Sequence, residues 1–196
     1  MTGLEGTPAR PGHRLPRAAL EPTPSQTIGP YLSIGVQPME RPMVAPHGTP
    51  GARALRGQVF DGADNPVPDA VVELWQADPD GRLASGEGSS SWFGRCCTDG
   101  GGRFGFTTVK PGQVALLSGE AQAPHLELLV FARGLLRPLR TRMYFPDEAA
   151  ANERDPVLGG IPDPALRRTL VAMDEDGDLR FDVHLRGRTE TVFFAI

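Results

Sequence analysis

Pro124-His125-Leu126-Glu127 is the run in this 196-residue chain whose residue types and spacing come nearest to a reactive site. Strand alternation puts the side chains of His125 and Glu127 on one face, with Leu129 and Phe131 further along it. Two potential metal ligands then point together. The ordinary reading is a half-buried histidine hydrogen-bonded to a neighbouring acid, because no other His or Cys stands nearby in sequence. Arg133, Arg137, Arg140 and Arg142 follow; they read as a solvated basic edge or, more sharply, as a device for recognising a small carboxylate. Asp174-Glu175-Asp176-Gly177-Asp178 looks superficially like a calcium loop. Leu179 stands where such a loop needs Gly and Leu185 where it needs Glu, so a hairpin turn is the better reading. Cys96 and Cys97 are the only cysteines. A disulfide between neighbours is strained and a zinc site needs spaced ligands, so they read as two reduced thiols in a strand, one facing in and one out. Trp75 and Trp92 read as core or interface aromatics. There is no nucleophile elbow, no phosphate-cradling glycine loop and no Cys-His pairing at metal spacing.

The frame that positions these residues is restricted by composition. At roughly 150 residues per domain the chain makes one domain with spare length. It can bury roughly 70% of its unfolded surface and needs no metal or disulfide to fold. Hydrophobic residues at 39% and charged residues at 22% are ordinary globular values, while 24 Gly and 20 Pro imply many turns and favour a β-rich class. A net charge of −4 argues against a nucleic-acid surface. No apolar run approaches the roughly 18 residues of a membrane span. Met1 to Ala19 carries Arg10, Arg14 and Arg17 without the apolar core of a secretory signal, and a cytoplasmic location is expected.

Ten of the 20 prolines fall in the first fifty residues, and Met1 to Ala52 shows no apolar periodicity long enough to define an element, so it reads as an extended arm. From Leu55 the pattern changes. Leu55 to Phe60, the turn cluster Asp61 to Pro66 and Ala70 to Ala77 read as strand, turn, strand, a hairpin signature. Gly94 to Thr98, Arg103 to Val109, Leu126 to Phe131 and Arg140 to Phe145 continue the rhythm, the last two joined around Gly134. Asp147 to Arg154 reads as a short helix capped by Asp147 and ended by Asp155-Pro156, and Asp163-Pro164 opens a second helical turn. Thr169 to Met173, Leu179 to Leu185 and Thr191 to Ile196 read as strands. Some eight short strands with one brief helix predict a β-sandwich, with no internal repeat.

Several of these segments together resemble the intradiol ring-cleavage dioxygenases: Thr23 to Tyr31 (Thr-Pro-Ser-Gln-Thr-Ile-Gly-Pro-Tyr), Gly57 to Gly62, Glu73 to Asp78, Phe93-Gly94-Arg95, Thr108 to Gly112, Ala123-Pro124-His125 and Thr141 to Phe145. The match runs in order over about residues 20 to 196. More narrowly, Phe131-Ala132-Arg133-Gly134 and Glu190 to Phe194 resemble the alpha subunit of the family's hetero-oligomeric members. The resemblance implies a mainly β chain, a β-sandwich over residues 54–196 preceded by an arm over 21–53, with residues 1–20 an extension expected to be disordered. It also implies the cleavage of protocatechuate between its hydroxylated carbons, with insertion of both atoms of O2, at a non-haem ferric ion held by two Tyr and two His. This sequence departs from that ligand set. The His-x-His pair is His125 and Glu127, and the two tyrosinate positions align with Leu83 and Val114. Tyr31, in the arm, and Tyr144, on a separate strand, are not substitutes. Fe(III) is accordingly expected in a beta subunit partner, with a vestigial site at Leu83, Val114, His125 and Glu127 and no metal or catalytic residue in this chain. The family's alpha-subunit arm lines the substrate cavity at the subunit boundary, a role that falls here on Thr27, Gly29, Pro30 and Tyr31, with Arg133 a candidate for pairing the substrate carboxylate.

Gly57 to Trp75, with its Asp-Gly turn and Asn65-Pro66-Val67-Pro68, also resembles transthyretin-like β-sandwich modules that serve as structural or carbohydrate-contacting additions. The arm motif and the Arg-Gly hairpin favour the dioxygenase reading, since such a module requires neither.

Overall fold

A computed structural model describes residues 23–83, 92–116 and 118–195, so the expectation for residues 1–20 lies outside the described residues. Within the arm the backbone is not uniformly extended as expected. A short helix, α1 (Tyr31–Val36), runs into a 3-10 turn at Gln37–Met39. Pro30, at φ −67° and ψ −17°, is pre-set for a helix start. The six residues of α1 bury no side chain, so no apolar period marked them in the sequence. Past the turn the arm becomes strand-like, with Arg41 bridging Arg95 and Met43 bridging Thr107, and this carries Val44 and Ala45 into the core.

The body holds β1 (Arg53–Phe60), β2 (Val71–Trp75), β3 (Phe93–Cys97), β4 (Arg103–Thr108), the two-residue strands β5 (Val114–Ala115) and β6 (Ala121–Gln122), β7 (His125–Phe131) and β8 (Leu139–Tyr144). Next come α2 (Ala149–Arg154), α3 (Pro156–Gly159), α4 (Pro164–Arg168), β9 (Met173–Glu175), β10 (Asp178–Arg180) and β11 (Val183–His184). One sheet has the order β3-β2-β7-β8. The other centres on β1, which pairs β4 antiparallel and β10 and β11 in parallel, with β9 beyond β10. Leu55, Val59, Val72, Leu74, Phe104, Phe106, Leu126, Leu128, Val130, Leu179 and Val183, at alternate positions along their strands, fill the space between the sheets. This is the expected β-sandwich.

The hairpin read from β1 and β2 is overturned, since the two strands lie in opposite sheets. The Asp61 carboxylate does close a local turn, accepting the N–H groups of Ala63 and Asn65. Pro66 and Pro68 then lack the N–H groups that would extend the ladder, and the chain crosses to the other sheet. The expected strand from Leu179 to Leu185 divides because Asp182 replaces a ladder bond, its carboxylate accepting Gln58 N–H at 2.9 Å. Of Thr169 to Met173 only Met173 lies in a strand, and among the described residues the terminal run makes a single bridge, Arg140 to Phe194. Asp147 does not cap the expected helix. It belongs to a 3-10 turn at Pro146–Glu148, where it and Glu148 pair with Lys110 at 2.9 and 2.6 Å. Asp163 caps α4 as expected, accepting from Ala165 N–H. Asp176 and Gly177, at φ 53° and 91°, form the left-handed pair of a tight hairpin between β9 and β10, as read for the false calcium loop.

A second apolar cluster, Ala123, Tyr144, Ala151, Leu158 and Leu170, packs α2 and α3 against the outer face of the four-stranded sheet. That face carries the candidate site.

Candidate functional site

Strand register brings the polar side of the site together. Since Leu126, Leu128 and Val130 of β7 point into the core, His125, Glu127 and Leu129 point outward. Cross-strand pairing then sets Trp75, Glu127 and Arg142 in one row, Leu129 beside Arg140 in the next, and His125 opposite Tyr144. Two crossing loops complete the wall. Gly81, at φ 81°, lies so close to Gln113 that a Cβ would collide with its carbonyl, and Gly112 N–H bonds the Asp78 carbonyl at 2.9 Å. This contact brings Leu83 and Val114 to one place. Leu83, Val114, His125 and Glu127, far apart in sequence, line a single cavity of about 360 Å³ together with Trp75, Leu129, Arg140 and Arg142.

The polar side of this cavity is an ion cluster. Glu127 accepts Arg142 Nε at 2.7 Å on Oε1, Arg140 Nη2 at 3.1 Å on the same oxygen, and Arg140 Nε at 3.0 Å on Oε2. Burial pushes the Glu127 carboxyl up, but the Arg140 bonds and the Arg142 charge outweigh it and hold the group below the usual carboxylate value. His125 Nδ1 stands 2.7 Å from the Ala123 carbonyl, which can only accept, so the proton sits there and Nε2 faces Glu127 Oε1 at 3.9 Å. Burial and the Arg142 charge depress the His125 pKa and keep the ring neutral. Behind it, the buried Asp155 accepts Ala123, Val157 and Leu158 N–H and the Tyr144 hydroxyl, so it anchors the strand entry and starts α3 at once.

A ferric ion does not fit these residues. Leu83 and Val114 bring no donor atom, Glu127 is taken up by two guanidiniums, and those guanidiniums place positive charge where a cation would enter. Among the described residues no group of three His, Cys, Asp or Glu side chains is placed to hold a metal ion. Tyr144 lies closer than its separate strand suggested, its ring packed on His125 at a centroid distance of 5.7 Å. Its hydroxyl is nonetheless held by Asp155 and Arg142, and burial raises its pKa well above the ordinary phenol value, which keeps it a phenol.

The arm residues lie elsewhere. Ile28 N–H bonds the Leu135 carbonyl at 2.7 Å and Gly134 N–H bonds the Ile28 carbonyl at 3.1 Å, clipping the arm to the β7–β8 turn beyond the far end of β7. Thr27, Gly29, Pro30 and Tyr31 are exposed, Tyr31 by 81%, and none lines the cavity. Arg133 pairs with Asp69 at 2.9 Å, a contact the sequence did not suggest. Sequence reasoning also missed the role of Arg140 and Arg142 as partners of Glu127, although their alternation with Thr141 placed both on one strand face.

A family model described as Dioxygenase matches residues 29–187. The chain belongs to the intradiol ring-cleavage dioxygenase family. The alpha chain of protocatechuate 3,4-dioxygenase from Pseudomonas putida is 39% identical over 199 residues, spanning 92% of this chain and 99% of that relative. The beta chain of the enzyme from Burkholderia cepacia is 34% identical over 154 residues, spanning 70% of this chain and 65% of that relative. Among solved structures, the dioxygenase domain of a dioxygenase carbohydrate-binding protein fusion from Streptomyces sp. SirexAA-E superposes with a TM-score of 0.54 at 28% identity, covering 85% of this chain and 99% of that one. Relatives of both chain types support a hetero-oligomeric intradiol dioxygenase, and this family uses non-haem iron. Among the described residues no helix is long and apolar enough to cross a membrane.

Proposed function

We propose that this chain is the alpha subunit of a hetero-oligomeric protocatechuate 3,4-dioxygenase of the cytoplasm, whose beta subunit holds the Fe(III). The complex opens protocatechuate between its two hydroxylated carbons and inserts both atoms of O2 to give 3-carboxy-cis,cis-muconate. The observation that carries this reading is the pairing of near full-length similarity to an alpha chain with a cavity whose ligand positions are Leu83, Val114 and a Glu127 already held by Arg140 and Arg142. Thr27, Gly29, Pro30 and Tyr31 serve the substrate cavity of the assembled enzyme. Their exposure supports this role, because an arm whose apolar residues find no cover among the described residues offers them to another surface. Arg133 is the weaker candidate for pairing the substrate carboxylate, since its guanidinium already has Asp69.

The test is expression of the chain with and without a beta chain, followed by iron analysis and O2 consumption on protocatechuate. The expected result is no stoichiometric iron and no turnover for the chain alone, and a coloured, iron-bearing, active complex with the partner. One iron per chain with a visible tyrosinate band in the absence of a partner overturns the assignment.

A further inference from the structure

The cavity beside Glu127 holds more guanidinium donors than its carboxylate takes up. A guanidinium has five N–H groups, and the bonds to Glu127 engage one on Arg142 and two on Arg140. Arg142 is 7% exposed, and its other partners among the described residues are the Tyr144 hydroxyl, 3.4 Å from Nη1, and the Phe194 ring, whose centroid lies 6.0 Å from Cζ. Its Nη2 has no hydrogen-bond acceptor among the described residues, and the residue lines the cavity. The lining carries two guanidiniums and one carboxylate. Asp155, the next acid, lies behind Tyr144 with both oxygens occupied by three backbone N–H groups and the phenol. Trp75 and Leu129 beside the cations on the same sheet face, with Leu83 and Val114 from the loops, supply the apolar lining, and the volume of about 360 Å³ suits a single small ring.

We propose that this cavity is a metal-free binding site for small planar monocarboxylates of the benzoate type. The carboxylate sits on Arg142 and Arg140, whose forked N–H groups match its two oxygens. The ring lies against Trp75, Leu83 and Val114. Ring hydroxyls are not required, since Leu83 and Val114 offer them nothing, and no bond is made or broken. The inference does not rest on the subunit assignment, because every residue used belongs to this chain.

The probe is 4-fluorobenzoate, titrated into the full-length chain and followed by fluorine NMR, with 4-fluorobenzamide as a neutral analogue of the same shape. The expected result is saturable binding of one carboxylate per chain, at least about tenfold tighter than the amide. Arg140→Gln should weaken the carboxylate about tenfold. Leu83→Trp, at a position 64% exposed, should abolish binding by filling the slot while leaving the Glu127 cluster intact, with folding checked by circular dichroism. No saturation, equal binding of acid and amide, or binding that survives Leu83→Trp each overturns the proposal. Iron loading and turnover are measured separately, so failure here leaves the subunit assignment standing, and the reverse.

Discussion

The outer face of the four-stranded sheet and the arm clipped beyond the end of β7 handle their chemical groups in opposite ways. Around Glu127 every charge has a partner from an adjacent strand, and the buried Asp155 has four donors. Along the arm, Tyr31, Ile34 and Met39 are exposed by 81, 64 and 62%, and α1 buries none of its residues. The first region pairs its charges within the chain and contributes stability, while leaving guanidinium donors over. The second is left open by the described residues. Substitutions in the cavity should therefore be felt by the isolated chain, and substitutions in the arm only by the complex.

The sharpest attempt to break this contrast is Glu127→Ala. It strands the Arg142 guanidinium, 8% exposed at its side chain, beside the half-paired Arg140. Leaving one member of a buried pair alone costs about 3–5 kcal/mol. Urea denaturation of the chain should register a loss near the lower end, since the Arg140 side chain is 38% exposed and water screens it. A loss under about 1 kcal/mol would mean that the cluster is a surface ornament like the arm.

Asp155→Asn comes next in size. The amide keeps one acceptor but turns a donor toward either the Ala123 N–H or the N–H pair at the start of α3, at a cost of about 1–3 kcal/mol. Because Ala123 also orients His125, the same variant should shift the His125 ring resonances in an NMR spectrum. Unmoved His125 signals would detach Asp155 from the cavity.

Acid is a gentler probe of the same cluster. The folded His125 titrates below its ordinary 6.5, so on acidification the unfolded chain takes up a proton first and stability begins to fall near that pH. The folded Glu127 carboxyl likewise lies below 4.5, so its contribution is complete above that value and disappears as pH drops through the lower folded pKa. Thermal melts should therefore decline in two stages, and Glu127→Ala should remove the second. A melting temperature flat from about pH 7 to 5 would contradict the His125 assignment, and one that stays flat as pH falls further below 4.5 would contradict that of Glu127.

What could be read in advance divides along the same line. Period-two alternation made β7 and β8 legible, and with them the shared face of His125 and Glu127. The convergence of Leu83 and Val114 on that face was reachable only through resemblance, because it depends on the approach of Gly81 to Gln113, 32 positions further along the chain. Pairing of Glu127 with Arg142 needed the register of β7 on β8, which a hairpin with a loop from 132 to 138 does not reveal from composition. The separation of β1 from β2 was hidden for a related reason: a turn motif specifies a local reversal, not which sheet the next strand joins. The helix α1 left no trace since it buries nothing.

Arm substitutions should have the smallest effect on the chain itself, and Gly29→Val isolates this. Nothing lies within 4 Å of a Cβ built there and its φ is outside the left-handed region, so valine meets neither clash nor strain. The stability of the isolated chain should change by no more than about 0.5 kcal/mol, as should that of Thr27→Ala. In the reconstituted complex the added bulk should enter the substrate cavity, raising KM for protocatechuate while iron content stays constant. Arg133→Ala needs a control, because it also leaves Asp69, whose Oδ1 is already enclosed without a hydrogen bond, short of its ion pair. Comparing protocatechuate with uncharged catechol provides it. A guanidinium that serves the carboxylate makes the variant lose more on the acid, whereas one that only secures Asp69 makes both substrates lose alike. Unchanged kcat/KM for Thr27→Ala, Gly29→Val and Arg133→Ala would show that the arm's exposure serves assembly alone.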